Sequence, residues 1–469
     1  MNYSKYNEYK NTGIEWLGKI PTHWNNWRLS KIANFRRGSF PQPYGLDKWY
    51  DDENGMPFIQ VFDVDNNMRL KSKTKRKISK EGAEKSVFIK KGTLILTIQG
   101  SIGRIAITQY DAYIDRTLLI FQSYNVDLDV DFFKHIITVL FEFEEKKAVG
   151  STIKTINKEK LSRFIIPIPP KEEQTTIANF LDYKTEKINR FIKKKKQLIK
   201  VLNEQKSTIT IQAVTKGLDP NVRMKNSGTK WLGNVPEHWE VKKLKYVANC
   251  FPSNVDKHSL EDEKEVRLCN YTDVYKNDFI TNNMELMIAT AKDDQIQKFA
   301  LKKGDVIITK DSETADDIAN PALVIEDLEN VICGYHLSIM RPYSKLKGEY
   351  LLRALQCKPI NVQFELCSNG VTRVGLGVAD MKKAQIPLPP IEEQNDISSF
   401  IQSELNTINK TISTIEKEIT LVEEYKTALI AEAVTGKIDV RDFKIPTGGT
   451  PLAMVAEEAI NYKRVNKNE

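Results

Sequence analysis

One stretch occurs twice in this chain, and it limits the possible folds more than any other feature. The first copy opens Ile166-Pro167-Ile168-Pro169-Pro170-Lys171-Glu172-Glu173-Gln174 and closes Ala213-Val214-Thr215. The second opens Ile386-Pro387-Leu388-Pro389-Pro390-Ile391-Glu392-Glu393-Gln394 and closes Ala433-Val434-Thr435. The offset is 387 − 167 = 220 at the start and 433 − 213 = 220 at the end, so no net gap falls inside the repeat. Each copy reads as one long helix. Proline suits a first helical position, where the missing N–H costs nothing. The Glu-Glu-Gln that follows sets carboxylates against the positive end of the helix dipole. Neither Gly nor Pro then appears until Gly217 and Gly436, which can close a helix in the left-handed conformation. A helix of about 43 residues spans roughly 65 Å, too long to bury in one ordinary globular domain.

The second helix carries a heptad seam. Ile401, Ile408, Ile415, Val422 and Leu429 recur every seven residues, and Leu405, Ile412 and Ile419 alternate with them before Lys426 interrupts. In the same register the first helix offers Leu181, Ile188, Lys195, Leu202 and Ile209, with Thr185, Ile192 and Ile199 between. From Lys171 to Thr215 there are ten basic and five acidic residues; from Ile391 to Thr435 there are three basic and nine acidic. The two helices could each lie on their own domain. Opposite charge and matched seams favour their pairing with each other, as an antiparallel coiled coil.

A second repeat opens each half. Thr12-Gly13-Ile14-Glu15-Trp16-Leu17-Gly18-Lys19-Ile20-Pro21-Thr22-His23-Trp24 matches Ser227-Gly228-Thr229-Lys230-Trp231-Leu232-Gly233-Asn234-Val235-Pro236-Glu237-His238-Trp239. The middle of each half diverges, although Lys90-Lys91-Gly92 and Lys302-Lys303-Gly304 still precede similar β-branched runs. Strands are expected at Leu94–Thr97, 104–108 and 118–122, and at Val306–Thr309, 322–325 and 338–341. Helices are expected at 131–147 and 347–366. The fold class is therefore α+β: two similar globular domains, each with a curved, mostly antiparallel sheet, joined by the two long helices in a pseudo-twofold tandem repeat. The expected boundaries are domain 1 at 1–165, a spacer helix at 166–218, domain 2 at 219–385, a second spacer helix at 386–437 and a tail at 438–469. Residues 213–219 continue into the start of domain 2, whereas 433–439 lack that continuation and residues 1–16 supply it. The halves thus resemble a ring of two repeats cut once, and the tail should pack near domain 1.

Catalytic and metal chemistry find little support. No Gly-x4-Gly-Lys-Ser/Thr phosphate loop is present, and His23, His135, His238, His258 and His336 lack metal-ligand spacing. His23 and His238 stand at equivalent repeat positions beside Trp, which indicates a shared packing role. No Pro-Asp occurs, so a Pro-Asp…Glu-x-Lys nuclease core is not visible. Asn320-Pro321-Ala322 and Gly375-Leu376-Gly377 are poor substitutes for the loops of an adenine methyltransferase. The five cysteines form no Cys-x-x-Cys pair and read as free thiols of a reducing compartment. With no cleavable signal and no apolar run of membrane-spanning length, the expected location is the cytoplasm, with no membrane partner.

Binding signals are stronger. The net charge of +8 permits a nucleic-acid partner. Lys71, Lys73, Lys75 and Lys77 would project from one face of an extended segment, either as a phosphate-tracking strand or as a solvated edge blunted by lysine. Arg36, Arg37 and Ser39 form one loop after a strand-like run; Gln99, Ser101 and Arg104 form another. Arg and Gln are the side chains that make bidentate bonds to guanine and adenine edges. The second half offers Lys310, Asp311, Ser312 and Thr314, and then Thr372 and Arg373 in the loop that includes Val371.

Taken together, the duplicated Pro-x-Pro-Pro-x-Glu-Glu-Gln and Trp-Leu-Gly…Pro-x-His-Trp motifs resemble the specificity (S) subunit of type I restriction–modification systems over nearly the whole chain. That resemblance implies two target recognition domains, each reading half of a split double-stranded DNA site, with the helices setting the spacing. It implies no catalytic residues, metal or cofactor in this chain. S-adenosylmethionine, ATP and Mg would serve the partners: two modification (methyltransferase) subunits contacting the repeated helices, and restriction subunits in the full complex. Two rival classes are a coiled-coil scaffold and a stand-alone methyltransferase or nuclease with unrecognised motifs.

Overall fold

The first long helix runs Lys171–Lys216 and the second Ile391–Val434. They belong to a computed structural model that describes residues 3–65, 69–147, 158–370, 372–446 and 453–465. The carbonyls of Pro170 and Pro390 accept the amides of Gln174 and Gln394, both at 3.0 Å, so each proline sits just ahead of its helix as the cap. Gly217 (φ +76°) and Gly436 (φ +71°) terminate the helices in the left-handed region. The chain divides into two units: residues 1–195 with 416–469, and residues 196–415. Each long helix therefore gives about half its length to each unit.

In the first unit, one antiparallel sheet has the order Ala33–Arg37, Leu118–Tyr124, Leu94–Thr97, Ile105–Ile107. A second has the order Arg76–Ile78, Met56–Ile59, Ala112–Ile114, Val87–Ile89, with one parallel pair between Met56–Ile59 and Ala112–Ile114. Ile95, Ala106, Leu118 and Ile120 of the first sheet share a core with Ile59, Ile89, Ala112 and Ile114 of the second. The second unit repeats the plan. Ala248–Pro252, Leu337–Pro342, Val306–Thr309, Pro321–Val324 and Phe279–Ile280 form the larger sheet; Met287–Ala291, Lys264–Cys269 and Val331–Cys333 form the smaller. Strand alternation divides the larger sheet's residues. Ile307 and Ile339 face the small sheet, while Val306, Ile308 and Met340 join the helices, including Ile397, Ile401 and Leu405 of the second long helix. Two multi-stranded sheets in each unit, beside smaller two-stranded pairings, replace the single curved sheet expected from sequence, because the divergent middle segment pairs with itself.

The helix expected over 347–366 is two helices, Gly348–Gln356 and Lys358–Cys367. Cys357 between them is extended (φ −73°, ψ 111°), as the residue before a helix-starting Lys358-Pro359 pair prefers. The 131–147 helix appears as Val130–Lys147.

The seam of the second long helix is buried at Ile401, Ile408, Ile415, Val422 and Leu429. Its partner is the other long helix, running antiparallel within each unit. In the first unit Lys426 Nζ bonds Asn189 Oδ1 at 2.9 Å and Lys195 Nζ meets Glu418 Oε2 at 2.6 Å. In the second, Lys206 Nζ bonds Asn409 Oδ1 at 2.8 Å. Every polar seam lysine thus faces a polar residue, which penalises slipped registers.

Candidate nucleic-acid interface

The duplicated motifs meet in a carboxylate clamp that fixes how each unit sits on its helix start. In the first unit Glu173 accepts from His23 Nε2 at 2.9 Å and Trp24 Nε1 at 3.0 Å, and from the Tyr6 hydroxyl. In the second, Glu393 Oε2 accepts from His238 Nε2 at 2.9 Å and Trp239 Nε1 at 3.0 Å. The next residue, glutamine, ties the start of a shorter helix, Val130–Lys147 in the first unit and Gly348–Gln356 in the second, to the same point. The Gln174 side chain accepts the Asp129 amide at 2.7 Å and donates to Pro169 O; Gln394 accepts the Lys347 amide at 2.9 Å and donates to Pro389 O. The ends of the long helices complete each clamp. A Cβ on Gly217 would lie 3.3 Å from Trp239 Cζ2, and one on Gly436 would lie 3.1 Å from Trp24 Cη2. The tail leaves that point along the first unit: Asp439 N bonds Ser4 O at 2.7 Å, and Glu458 pairs with Lys184 at 2.9 Å.

On this frame the larger sheet of each unit presents matched loops. Ile98 N bonds Thr117 O at 2.9 Å, as Lys310 N bonds His336 O at 3.0 Å. Gly38 N bonds Leu118 O, as Ser253 N bonds Leu337 O, both at 3.0 Å. In the first unit these loops bring Arg37 to Gln99, with Nη2 donating to Oε1 at 3.2 Å. Arg37 Nε also donates to Arg116 O, and the Arg116 guanidinium lies 4.8 Å from the Tyr44 ring. Ser39 sits beside the same loop, its hydroxyl donating to Lys85 O at 3.2 Å. Ser101 is exposed on the turn. Arg104 turns away, donating to Val64 O at 3.2 Å. Strand alternation places Arg36 on the Asn34 face, opposite Arg37.

In the second unit His336 Nδ1 lies 2.7 Å and Lys310 Nζ 3.0 Å from Asp311 Oδ2, and Lys310 Nζ lies 4.7 Å from the Tyr335 ring. Asp311–Ser312 pairs with Val374–Gly375, which brings exposed Thr372 and Arg373 beside the same loop; Val371 lies outside the described residues. Tyr271 stacks on Tyr275 at 5.5 Å, and burial, the largest influence, pushes the Tyr271 hydroxyl up despite its bond to Ser312. Ser312 itself is buried, and Thr314 is exposed.

The lysine row does not form. Only Arg76–Ile78 is extended. The segment before it wraps around Asp63, a fully buried carboxylate that accepts the amides of Gln60 and Lys75, both at 2.9 Å, while Lys71 N bonds the Asp63 carbonyl at 3.0 Å. Burial pushes this carboxyl up, and those bonds oppose the shift. Lys77 Nζ donates to Glu53 O at 2.6 Å and Lys75 Nζ lies 5.2 Å from the Phe62 ring, so Lys71, Lys73, Lys75 and Lys77 do not share one extended face. A buried acceptor thus overrides the alternation of the sequence.

Tyr44, Arg116, Tyr271, Tyr335 and His336 escaped the reading of the sequence. Arg116 and Thr117 match Tyr335 and His336 just before the corresponding strands, positions that aligning the two halves would have exposed. Among the described residues no His, Cys, Asp and Glu grouping could hold a metal ion, and no helix is long and apolar enough to cross a membrane. Cys250 and Cys357 are pushed up to about 12 by burial, unlike a nucleophilic thiol.

The repeated frame and its sheet-borne polar loops belong to a family of known class. Residues 21–201 and 236–421 match the type I restriction modification DNA specificity domain, and the chain belongs to that family. It is a DNA-recognition subunit, and the catalysis of such systems resides in other subunits. It is 22% identical over 447 residues to the type I restriction enzyme MjaVIII specificity subunit of Methanocaldococcus jannaschii, covering 90% of this chain and 95% of that one. It is 21% identical over 435 residues to the type I restriction enzyme EcoBI specificity subunit of Escherichia coli, covering 91% and 88%. A relative named for the MjaX specificity subunit is 28% identical over 311 residues, 64% of this chain and 65% of that relative, just under two thirds of its length. A solved structure concerned with complex assembly and conformational transition of the type I R-M system has the same fold, with a TM-score of 0.66 at 15% identity over 89% of this chain and 99% of that one.

Proposed function

We propose that the chain reads a bipartite site in double-stranded DNA, one half per unit, and that the antiparallel helix pair sets the gap between the halves. The observation that carries this reading is the repetition of clamp, sheet and backbone hydrogen bonds while the side chains on the matched loops differ. A shared frame with divergent tips suits two readers of unrelated sequences. The candidate contacts are Arg37, Ser39, Gln99 and Ser101 in the first unit, and Lys310, Asp311, Thr314, Thr372 and Arg373 in the second; Arg36 on the opposite strand face, Arg104 held on Val64 O and buried Ser312 stand outside these clusters. Lys71, Lys73, Lys75 and Lys77 would contribute phosphate contacts individually rather than as a row. The chain works without a cofactor of its own in the cytoplasm. Two modification subunits dock on the repeated helices and bring S-adenosylmethionine; restriction subunits bring ATP and Mg.

Inserting four residues after Gln205 tests the ruler. The insertion adds about 6 Å of helix, and DNA rises about 3.4 Å per base pair along its axis. Sequencing the methylated sites should reveal both half-sites unchanged, with the gap longer by about one or two pairs. An unchanged gap at full activity refutes the ruler.

A further inference from the structure

The matched loops place Gln99 and Asp311 at the same point of the two units. Each directly follows the residue whose amide bonds across to the neighbouring strand's entry, Ile98 to Thr117 and Lys310 to His336. Both side chains are partly exposed, and each is held at one atom by its neighbours. Arg37 can only donate, so the Gln99 atom it meets at 3.2 Å is Oε1. No described residue accepts from the Gln99 Nε2 amide, which is left to donate from a partly exposed side chain paired with Arg37, itself a donor. Asp311 is the reverse case. Its Oδ2 is taken by His336 and Lys310, while no described residue donates to Oδ1. Gly375 lies alongside, and a Cβ there would stand 3.2 Å from Oδ1, so the glycine keeps that oxygen uncovered. The second unit thus presents an acceptor where the first presents donors.

We propose that Gln99 and Asp311 are paired base-reading residues of opposite hydrogen-bonding sense. Gln99, with Arg37, donates to the acceptor edge of guanine, O6 and N7. Asp311 accepts from the exocyclic amine of cytosine or adenine. His336 and Lys310 are positioning residues that hold the carboxylate with Oδ1 outward. This inference rests on the one-half-per-unit reading above and assigns the sense of one contact in each half.

The test uses the full chain assembled with its modification subunits, with methylated sites sequenced for the wild type, D311N and Q99E. The wild-type first half-site should contain a G·C pair. D311N, which adds donors at Asp311, should lower discrimination at one position of the second half-site on the order of tenfold, the scale of one good base contact. Q99E should do the same in the first half-site alone. In each variant the untouched half reports that the subunit is folded and assembled, and Q99E decides the matter if D311N does not assemble. Unchanged motifs in both variants, a change in both halves from either one, or a first half-site without a G·C pair overturns the proposal. A wild-type site that is not bipartite overturns the underlying reading instead.

Discussion

The two units share a backbone plan but differ in how their parts are tied to the long helices. In the first unit Glu173 is 6% exposed and receives three donors, whereas Glu393 is 28% exposed and receives two. A second tie differs in kind. In the first unit, His135 on the helix after the sheet bonds Asp182 of the long helix at 3.0 Å. The matched positions hold Arg353, which donates to Gln402 and to Gln356. The frame is therefore an arrangement of places: a polar link stands at each in both units, while its chemistry and exposure differ. The same freedom at the loop tips lets two readers diverge.

The clamp offers the largest separation between the units. Trp24 and Trp239 are both fully buried, so each alanine variant removes an indole acceptor, but water can replace it more readily at the more exposed Glu393; Glu173→Ala should therefore cost about 3 kcal/mol, against about 1 kcal/mol for Glu393→Ala. Urea unfolding of the two variants measures the difference, and equal losses would erase the distinction between the clamps.

The closing glycines should differ less. A Cβ on Gly436 would stand 2.4 Å from Pro21 Cδ, a rigid ring, whereas one on Gly217 meets the movable Glu393 Oε1 at 3.2 Å. Both carry the left-handed strain. Gly436→Ala should therefore cost about 2 kcal/mol and Gly217→Ala about 1 kcal/mol, read from melting temperatures. A larger loss from Gly217→Ala would contradict the geometry.

The smallest effect is a pH slope confined to the first unit. Burial holds the His135 ring below its ordinary value of 6.5, against the pull of Asp182 and Asp131 and with the help of Lys134. The unfolded chain therefore takes up the proton first, and stability falls as the pH drops through about 6.5. Arg353 does not titrate in this range, so the second unit lacks this contribution. His135→Gln should flatten the slope; an unaltered slope between pH 7.5 and 5.5 would show that other groups cause it.

Parts governed by neighbours along the chain were legible from residue spacing. The long helices, their proline starts and glycine ends, the apolar seam and the twofold repeat follow from spacing alone, because helix geometry depends on residues three to seven apart. The break at Cys357 was missed, since 347–366 was expected as one helix although Pro359 stands inside it. Tertiary structure decided what joins distant segments. Asp63 gathers the amides of Gln60, ahead of the lysine segment, and of Lys75, within it, and bends the segment, although alternation there favoured a strand. Arg37, Gln99 and Arg116 become one cluster only when three strand ends are aligned. The acceptor sense of Asp311 depends on His336, 25 residues away, and on Gly375, which pairs with it from beyond two helices. A base reader is defined by which of its atoms neighbours occupy, and only the assembled sheet brings those neighbours within reach.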